Sequence, residues 1–239
     1  MSGTLYGVGV GPGDPELLTV KAARLIRESA VIAYLQDTSG ESMARRIAAD
    51  AIATGSNPAQ QEEAVTMPMC DSRDQANAVY DEAAERFAAH LDQGRDVVFL
   101  CQGDPFFFGS FSYVHERLDP SYHSEIVPGI TAISACAALS GRPLALLAEN
   151  VAVISGRRGD VDILQTLEKF DNVAIMKPGR RRPALLKLIE SAGRTGDARY
   201  IEYAGQTNEK LVADITTLAP DEKGPYFSLF LVSRERETR

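Results

Sequence analysis

Asp96-Val97-Val98-Phe99-Leu100-Cys101-Gln102-Gly103-Asp104-Pro105-Phe106-Phe107-Phe108-Gly109-Ser110 reads as a buried strand running straight into a glycine-containing turn. A Gly-Asp-Pro turn at a strand's carboxyl end is where open α/β sheets bind their ligands. Gly103 lets backbone approach a ligand closely, Asp104 offers a fixed negative charge, Pro105 stiffens the exit, and Gly109 releases the chain into a helix starting near Ser110. An ordinary strand-to-helix connection has the same residues, so this segment fixes an α/β element and leaves its function open.

Upstream, Leu5-Tyr6-Gly7-Val8-Gly9-Val10-Gly11-Pro12-Gly13-Asp14-Pro15-Glu16-Leu17-Leu18-Thr19 is a short strand, a glycine-rich turn and the start of an apolar-periodic helix. It is not a dinucleotide fingerprint. Counting Gly-x-Gly-x-x-Gly from Gly7 lands on Pro12, counting from Gly9 lands on Asp14, and no Walker lysine follows. Asp14 reads instead as a helix N-cap with Pro15 at the first helical position. Downstream, Glu125 to Ala138 is another strand, a tight Val127-Pro128-Gly129 turn and a helix of small residues, and Asn172 to Gly179 holds a strand ending in Met176. A Met in that place is ordinarily core filler.

Apolar β-rich runs alternate with segments of helical period along the whole chain, the pattern of an α/β protein. The strand candidates are Leu5 to Val10, Ala30 to Tyr34, Val97 to Leu100, Glu125 to Val127, Val151 to Ile154, Val173 to Met176, Tyr200 to Tyr203 and Tyr226 to Val232. The clearest helix spans Asp74 to Gln93, where Ala76, Val79, Ala83, Phe87 and Leu91 form one apolar stripe and Gly94 marks the stop. A polar, proline-containing stretch, Leu118-Asp119-Pro120-Ser121, predicts a domain break, giving domains 1–119 and 120–239 with a cleft between them.

With 239 residues, 44% of them hydrophobic, the chain has enough apolar material for one large or two small cores. No apolar run approaches the roughly 18 residues that span a bilayer. Met1-Ser2-Gly3-Thr4 carries no basic or hydrophobic signal segment, so the expectation is a cytoplasmic protein without a membrane partner. Cys70, Cys101 and Cys136 are odd in number and far apart, which fits reduced thiols and gives no zinc spacing. His90, His115 and His123 complete no metal set, so no metal is expected. A net charge of −8 argues against a nucleic-acid partner, whose phosphates call for Lys and Arg.

Taken in order, Gly9-Val10-Gly11-Pro12-Gly13-Asp14 with Leu17-Leu18-Thr19, Gly103-Asp104-Pro105 with Gly109, Val127-Pro128-Gly129 with Thr131-Ala132, and Met176 resemble the motif set of the tetrapyrrole (corrin and porphyrin) methyltransferases over nearly the whole chain. Within that family, Phe106 to Phe111, Phe170-Asp171-Asn172 leading to Met176-Lys177-Pro178-Gly179-Arg180, and Pro225 to Leu229 are most similar to the branch that methylates carbon 20 of precorrin-2 in cobalamin biosynthesis. The resemblance implies a two-domain α/β homodimer binding S-adenosylmethionine in a cleft between the domains and releasing S-adenosylhomocysteine. It places the donor on Pro12, Gln102, Gly103, Asp104, Phe107, Thr131, Ala132, Met176 and Ala204. Gln102 departs from the Glu or Gly often found there. Asp104, Glu202 and Tyr203 are the candidate catalytic groups for removing the proton from the methylated carbon. Arg157-Arg158 and Arg180-Arg181-Arg182 are candidates for holding the carboxylates around the tetrapyrrole rim, against the alternative of a solvated face paired with Asp160, Asp162 or Glu190. The other functions in view are methylation of uroporphyrinogen III, a later corrin intermediate, RNA or a protein side chain, and a tetrapyrrole- or nucleotide-binding module without turnover.

Overall fold

The computed structural model describes residues 2–68 and 72–234, and Cys70 lies outside them. The chain divides into two compact units, 1–131 and 132–239. In the first unit the elements run β1 (Leu5–Gly9), α1 (Val20–Glu28), β2 (Val31–Gln36), α2 (Met43–Ile47), α3 (Ala49–Ala53), β3 (Gln61–Thr66), α4 (Arg73–Leu91), β4 (Val97–Cys101), α5 (Phe111–Leu118) and β5 (Ser124–Val127). Their strands form a parallel sheet in the order β3-β2-β4-β1-β5.

A parallel sheet covered on both faces needs apolar side chains on both sides of each inner strand, and β4 meets that need completely. Val97, Phe99 and Cys101 pack with α4 and α5, while Val98 and Leu100 pack with α1, α2 and α3 on the other face. Phe99 is the aromatic hinge of the first face, 5.9 Å between ring centroids from both Phe87 and Phe111. The stripe expected on the long helix is there: Ala83, Phe87 and Leu91 are buried, with Ala76 and Val79 packed at the margin. Ser72 caps its start, accepting from Gln75 N, and Gly94 turns the chain at φ 71°.

The expected break at Leu118-Asp119-Pro120-Ser121 falls inside this unit. Ser121 N and Tyr122 N both donate to Leu118 O, so the stretch is a tight return from α5 into β5, whose residues pair with β1. A polar proline turn and a linker look alike in sequence; pairing of the next strand decides between them.

Strand order also fixes where a ligand can sit. The chain leaving β1 reaches β2 through α1 on one face, and the chain leaving β4 reaches β5 through α5 on the other. β1 and β4 are neighbours, so their exits diverge to opposite faces and leave a crevice at their carboxyl ends.

The second unit holds α6 (Ala132–Ser140), β6 (Val151–Ser155), α7 (Asp160–Lys169), β7 (Asn172–Met176), α8 (Arg182–Ser191), β8 (Ala198–Glu202), β9 (Lys210–Val212) and β10 (Ser228–Ser233). Its mixed sheet has the order β6-β7-β10-β8-β9, with β10 antiparallel to both neighbours. Ile163 and Leu167 of α7 and Leu185 and Ile189 of α8 cover Val173, Ile175, Tyr200, Phe230 and Val232. The opposite face carries α6, packed on β10. Among the described residues no helix is long and apolar enough to cross a membrane.

Candidate functional site

Three loops meet at the carboxyl ends of β1, β4 and β5. Gly11 and Gly103 form a two-way backbone bridge, Gly103 N to Gly11 O at 2.7 Å and Gly11 N to Gly103 O at 3.3 Å, and Val10 N donates to Cys101 O at 2.9 Å. Gln102 ties the same two loops through its side chain, donating from Nε2 to Pro12 O at 2.8 Å. A carboxylate cannot donate that bond, which gives the amide at this position its physical reason.

Glycines make the convergence sterically feasible. A Cβ on Gly9 would lie 2.5 Å from Gly129 N and 2.6 Å from Gly103 O, and one on Gly129 only 2.0 Å from Gly103 O. Gly103 is different: at φ +72° its missing Cβ would point into open space, with nothing nearer than Ile130 O at 4.0 Å. Gly103 is buried, yet the junction leaves room beside its bare backbone, space that a flat nucleoside can approach.

Asp104 locks this arrangement. Its Oδ1 accepts from Phe106 N at 2.9 Å and its Oδ2 from Gly129 N at 3.1 Å, so one carboxylate joins the loops after β4 and β5. Phe107 follows on the same turn, donating to Asp104 O, and its neighbours Phe106 and Phe108 are exposed aromatics, Phe106 by 51%. Pro12, Gln102, Gly103, Asp104 and Phe107 are thus brought together, and Thr131 closes the loop after β5. Asp14, by contrast, caps a local turn, accepting from Glu16 N at 2.8 Å.

In the second unit, Met176 ends β7, buried beside Leu229, and Glu202 ends β8. Tyr203 follows in left-handed backbone and leads to buried Ala204. The two arginine clusters do lie at the ends of neighbouring strands, but most of their guanidiniums are committed. Arg181 donates to Gly156 O and Arg158 O and pairs with Asp160. Arg158 pairs with Asp162 at 3.3 Å. Arg182 is buried, side chain 3% exposed, between Glu222 and Glu202, so it is no rim cation. Arg157 is exposed, and no carboxylate pairs with it among the described residues.

Neither described cysteine is equipped as a nucleophile. Burial pushes the Cys101 thiol far above its ordinary range; burial, aided by the charge of Glu209, pushes Cys136 up to about 12. Native protein at pH 8 is expected to resist iodoacetamide at both positions until unfolded, as read by peptide mass mapping. Cys101→Ala with Cys136→Ala should keep full turnover and lose about 1 kcal/mol of stability at each site. His90 bonds Glu63 at 3.2 Å and His115 bonds Asp119 at 3.2 Å, and the His115 ring also packs edge-on against Phe106, centroids 5.3 Å apart. No group of His, Cys, Asp and Glu among the described residues is placed to hold a metal ion.

Residues 4–219 match the family described as Tetrapyrrole (Corrin/Porphyrin) Methylases. The chain is 37% identical over 241 residues to the cobalamin biosynthesis protein CobIJ of Mycobacterium tuberculosis, aligning 96% of itself but only 46% of that protein, about half its length. It is 35% identical over 240 residues to precorrin-2 C(20)-methyltransferase of Sinorhizobium sp, covering 96% of this chain and 95% of that one. Among solved structures, uroporphyrin-III C-methyl transferase of Thermus thermophilus complexed with S-adenyl homocysteine superposes with a TM-score of 0.67 at 25% identity, over 97% of each chain. The order of motifs, the paired sheets and these likenesses agree: the chain belongs to the tetrapyrrole methylase family.

Proposed function

We propose that this protein transfers the methyl group of S-adenosylmethionine to carbon 20 of precorrin-2, or of its cobalt chelate, in cobalamin biosynthesis, giving precorrin-3A from the metal-free substrate. The observation that carries the reading is likeness along essentially the full length of a precorrin-2 C(20)-methyltransferase, joined to a crevice of bare backbone at Gly103. Bound, the donor supplies an electrophilic sulfonium methyl, and a meso carbon of a reduced tetrapyrrole is an enamine-like nucleophile, so no protein nucleophile is needed. The chain's own task is orientation and exclusion of water.

Gly103, Pro12, Gln102 and Phe107 form the holding surface in the first unit, with Thr131 and Ala132 next along the chain. Met176 and Ala204 are the proposed contacts from the second. Asp104, with both oxygens engaged by backbone amides, acts as a positioning residue rather than a base. Glu202 and Tyr203 at the end of β8 are the proposed proton acceptors. The working state in this reading is a cytoplasmic homodimer acting on a small-molecule tetrapyrrole, without nucleic acid.

Incubation with ¹³C-methyl S-adenosylmethionine and precorrin-2, with and without cobalt, followed by NMR of the product, tests the reading. A new methyl at carbon 20 supports it. Methylation of uroporphyrinogen III or of a later corrin instead would assign another branch of the family, and absence of any transfer would make the protein a binder.

Asp104→Ala should weaken S-adenosylhomocysteine binding about tenfold, since two charge-assisted backbone bonds spanning two loops are removed. Asp14→Ala, losing one local cap, should change it less than about twofold. Calorimetry giving equal losses in two folded proteins would remove Asp104 from the donor surface.

A further inference from the structure

Two residues of the second unit that are not glycine hold left-handed backbone at the carboxyl ends of strands flanking β10: Lys177 after β7 at φ 56°, and Tyr203 after β8 at φ 53°. A residue with a Cβ resists that conformation, and it persists where the surrounding structure enforces it, most often at functional positions. Because β10 runs antiparallel between β7 and β8, its entry segment lies at this same edge. Tyr203 N donates to Phe227 O at 2.8 Å, and Tyr226 stands edge-on to Phe227, with centroids 5.1 Å apart at 85°. The Lys177 ammonium lies 5.8 Å from the centroid of the Tyr226 ring, which stays 42% exposed. An accessible π surface and a cation are therefore presented side by side.

We infer that Lys177 and Tyr226 form a holding point for the tetrapyrrole, the Tyr226 ring stacking on the macrocycle and the Lys177 ammonium pairing with one rim carboxylate. The inference rests on the proposed reaction and deepens it. A ligand with a flat apolar body and carboxylates at its margin matches both groups at once, and cation–π attraction keeps the ammonium beside the surface on which the body stacks.

Lys177→Gly and Tyr226→Leu in the full chain test it, with uroporphyrin I, a stable polycarboxylate macrocycle, as the probe read by fluorescence quenching. Glycine accepts φ 56° freely, so Lys177→Gly should melt no lower than the parent. It should nonetheless weaken uroporphyrin binding about tenfold and flatten its salt dependence, as loss of one ammonium contact requires. Tyr226→Leu should weaken binding about fivefold with little change in salt dependence. The KM for precorrin-2 should rise in parallel while kcat and S-adenosylhomocysteine affinity stay within about twofold. Uroporphyrin binding equal to the parent's in both variants overturns the inference, as does failure of the parent to bind it or a matching loss of S-adenosylhomocysteine affinity. If the parent binds uroporphyrin through these residues but methylates no carbon 20, the holding point stands and the assigned reaction fails.

Discussion

Gly129→Ala is expected to cut S-adenosylhomocysteine affinity by about 100-fold or more, because the added methyl meets backbone rather than a side chain that can turn away. Its Cβ would lie 2.0 Å from Gly103 O and 2.8 Å from Gly9 Cα. Relief requires the loops after β4 and β5 to part. That separation strains the bond from Gly129 N to Asp104 Oδ2 and the Gly11–Gly103 bridge beside it. Those same bonds hold the bare face of Gly103 at the crevice, so binding should suffer before the core does. Overpacking against backbone also costs about 3 kcal/mol of stability. Gly196→Ala is the matched control, since no atom lies within 4 Å of its added carbon. Calorimetry and urea denaturation on the two variants give the test: wild-type affinity in Gly129→Ala would mean the three-loop junction does not hold the donor.

Much of the first unit was legible because its inner strands obey one physical demand. Val97 to Cys101 is buried at every position, and an uninterrupted apolar run is what burial on both faces requires. The Asp14 cap, the stripe of α4 and the turn at Gly94 were equally visible, each depending on neighbours a few residues away. β3 was not visible. Gln61-Glu62-Glu63-Ala64-Val65-Thr66 sits at the sheet edge, where an outer strand exposes polar groups. Its two glutamates are held by tertiary partners, Glu62 by Arg45 and Tyr34, Glu63 by Arg86 and His90, and none of these pairings has a local signature. β9, three residues long, gave too little pattern to read.

The donor loops divide in the same way. Gly103 and Asp104 stood out because their turn directly follows a buried strand, the place where open α/β sheets bind ligands, and because it falls in order with the other glycine turns. The roles of Gly9 and Gly129 arise only when three separate loops are brought into contact, and a glycine in a turn does not announce what its missing side chain would hit. The fate of Arg182 did have a signal. Arg182, Leu185 and Ile189 fall at helical spacing on one face of α8, and all three are buried. Basic composition suggested a rim cation, while periodicity placed the residue in the core.

That burial sets the second large effect: Arg182→Gln should destabilise the protein by about 3–5 kcal/mol, the usual consequence of removing one partner from a buried charge pair. The guanidinium donates from Nε to Glu222 O at 2.8 Å and from Nη2 to Glu222 Oε2 at 2.9 Å, and its Nη1 lies 3.5 Å from Glu202 Oε1. It also lies 5.5 Å from the centroid of the Tyr200 ring, whose hydroxyl burial pushes up to about 12. Glu222 is largely exposed and can turn to water, so its share of the cost is small. Glu202 cannot, with a side chain only 12% exposed, and its carboxylate would be left without a countercharge. Lysine does not substitute, because one ammonium cannot span three acceptors set out for a planar fork. Adding Glu202→Gln to Arg182→Gln should recover at least about half of the loss in urea denaturation, since the stranded charge is gone. If Arg182 instead gripped a tetrapyrrole carboxylate, Arg182→Gln would keep its stability and raise KM in a salt-dependent way. Unchanged stability would therefore return Arg182 to the substrate surface and take away the anchor beneath Glu202.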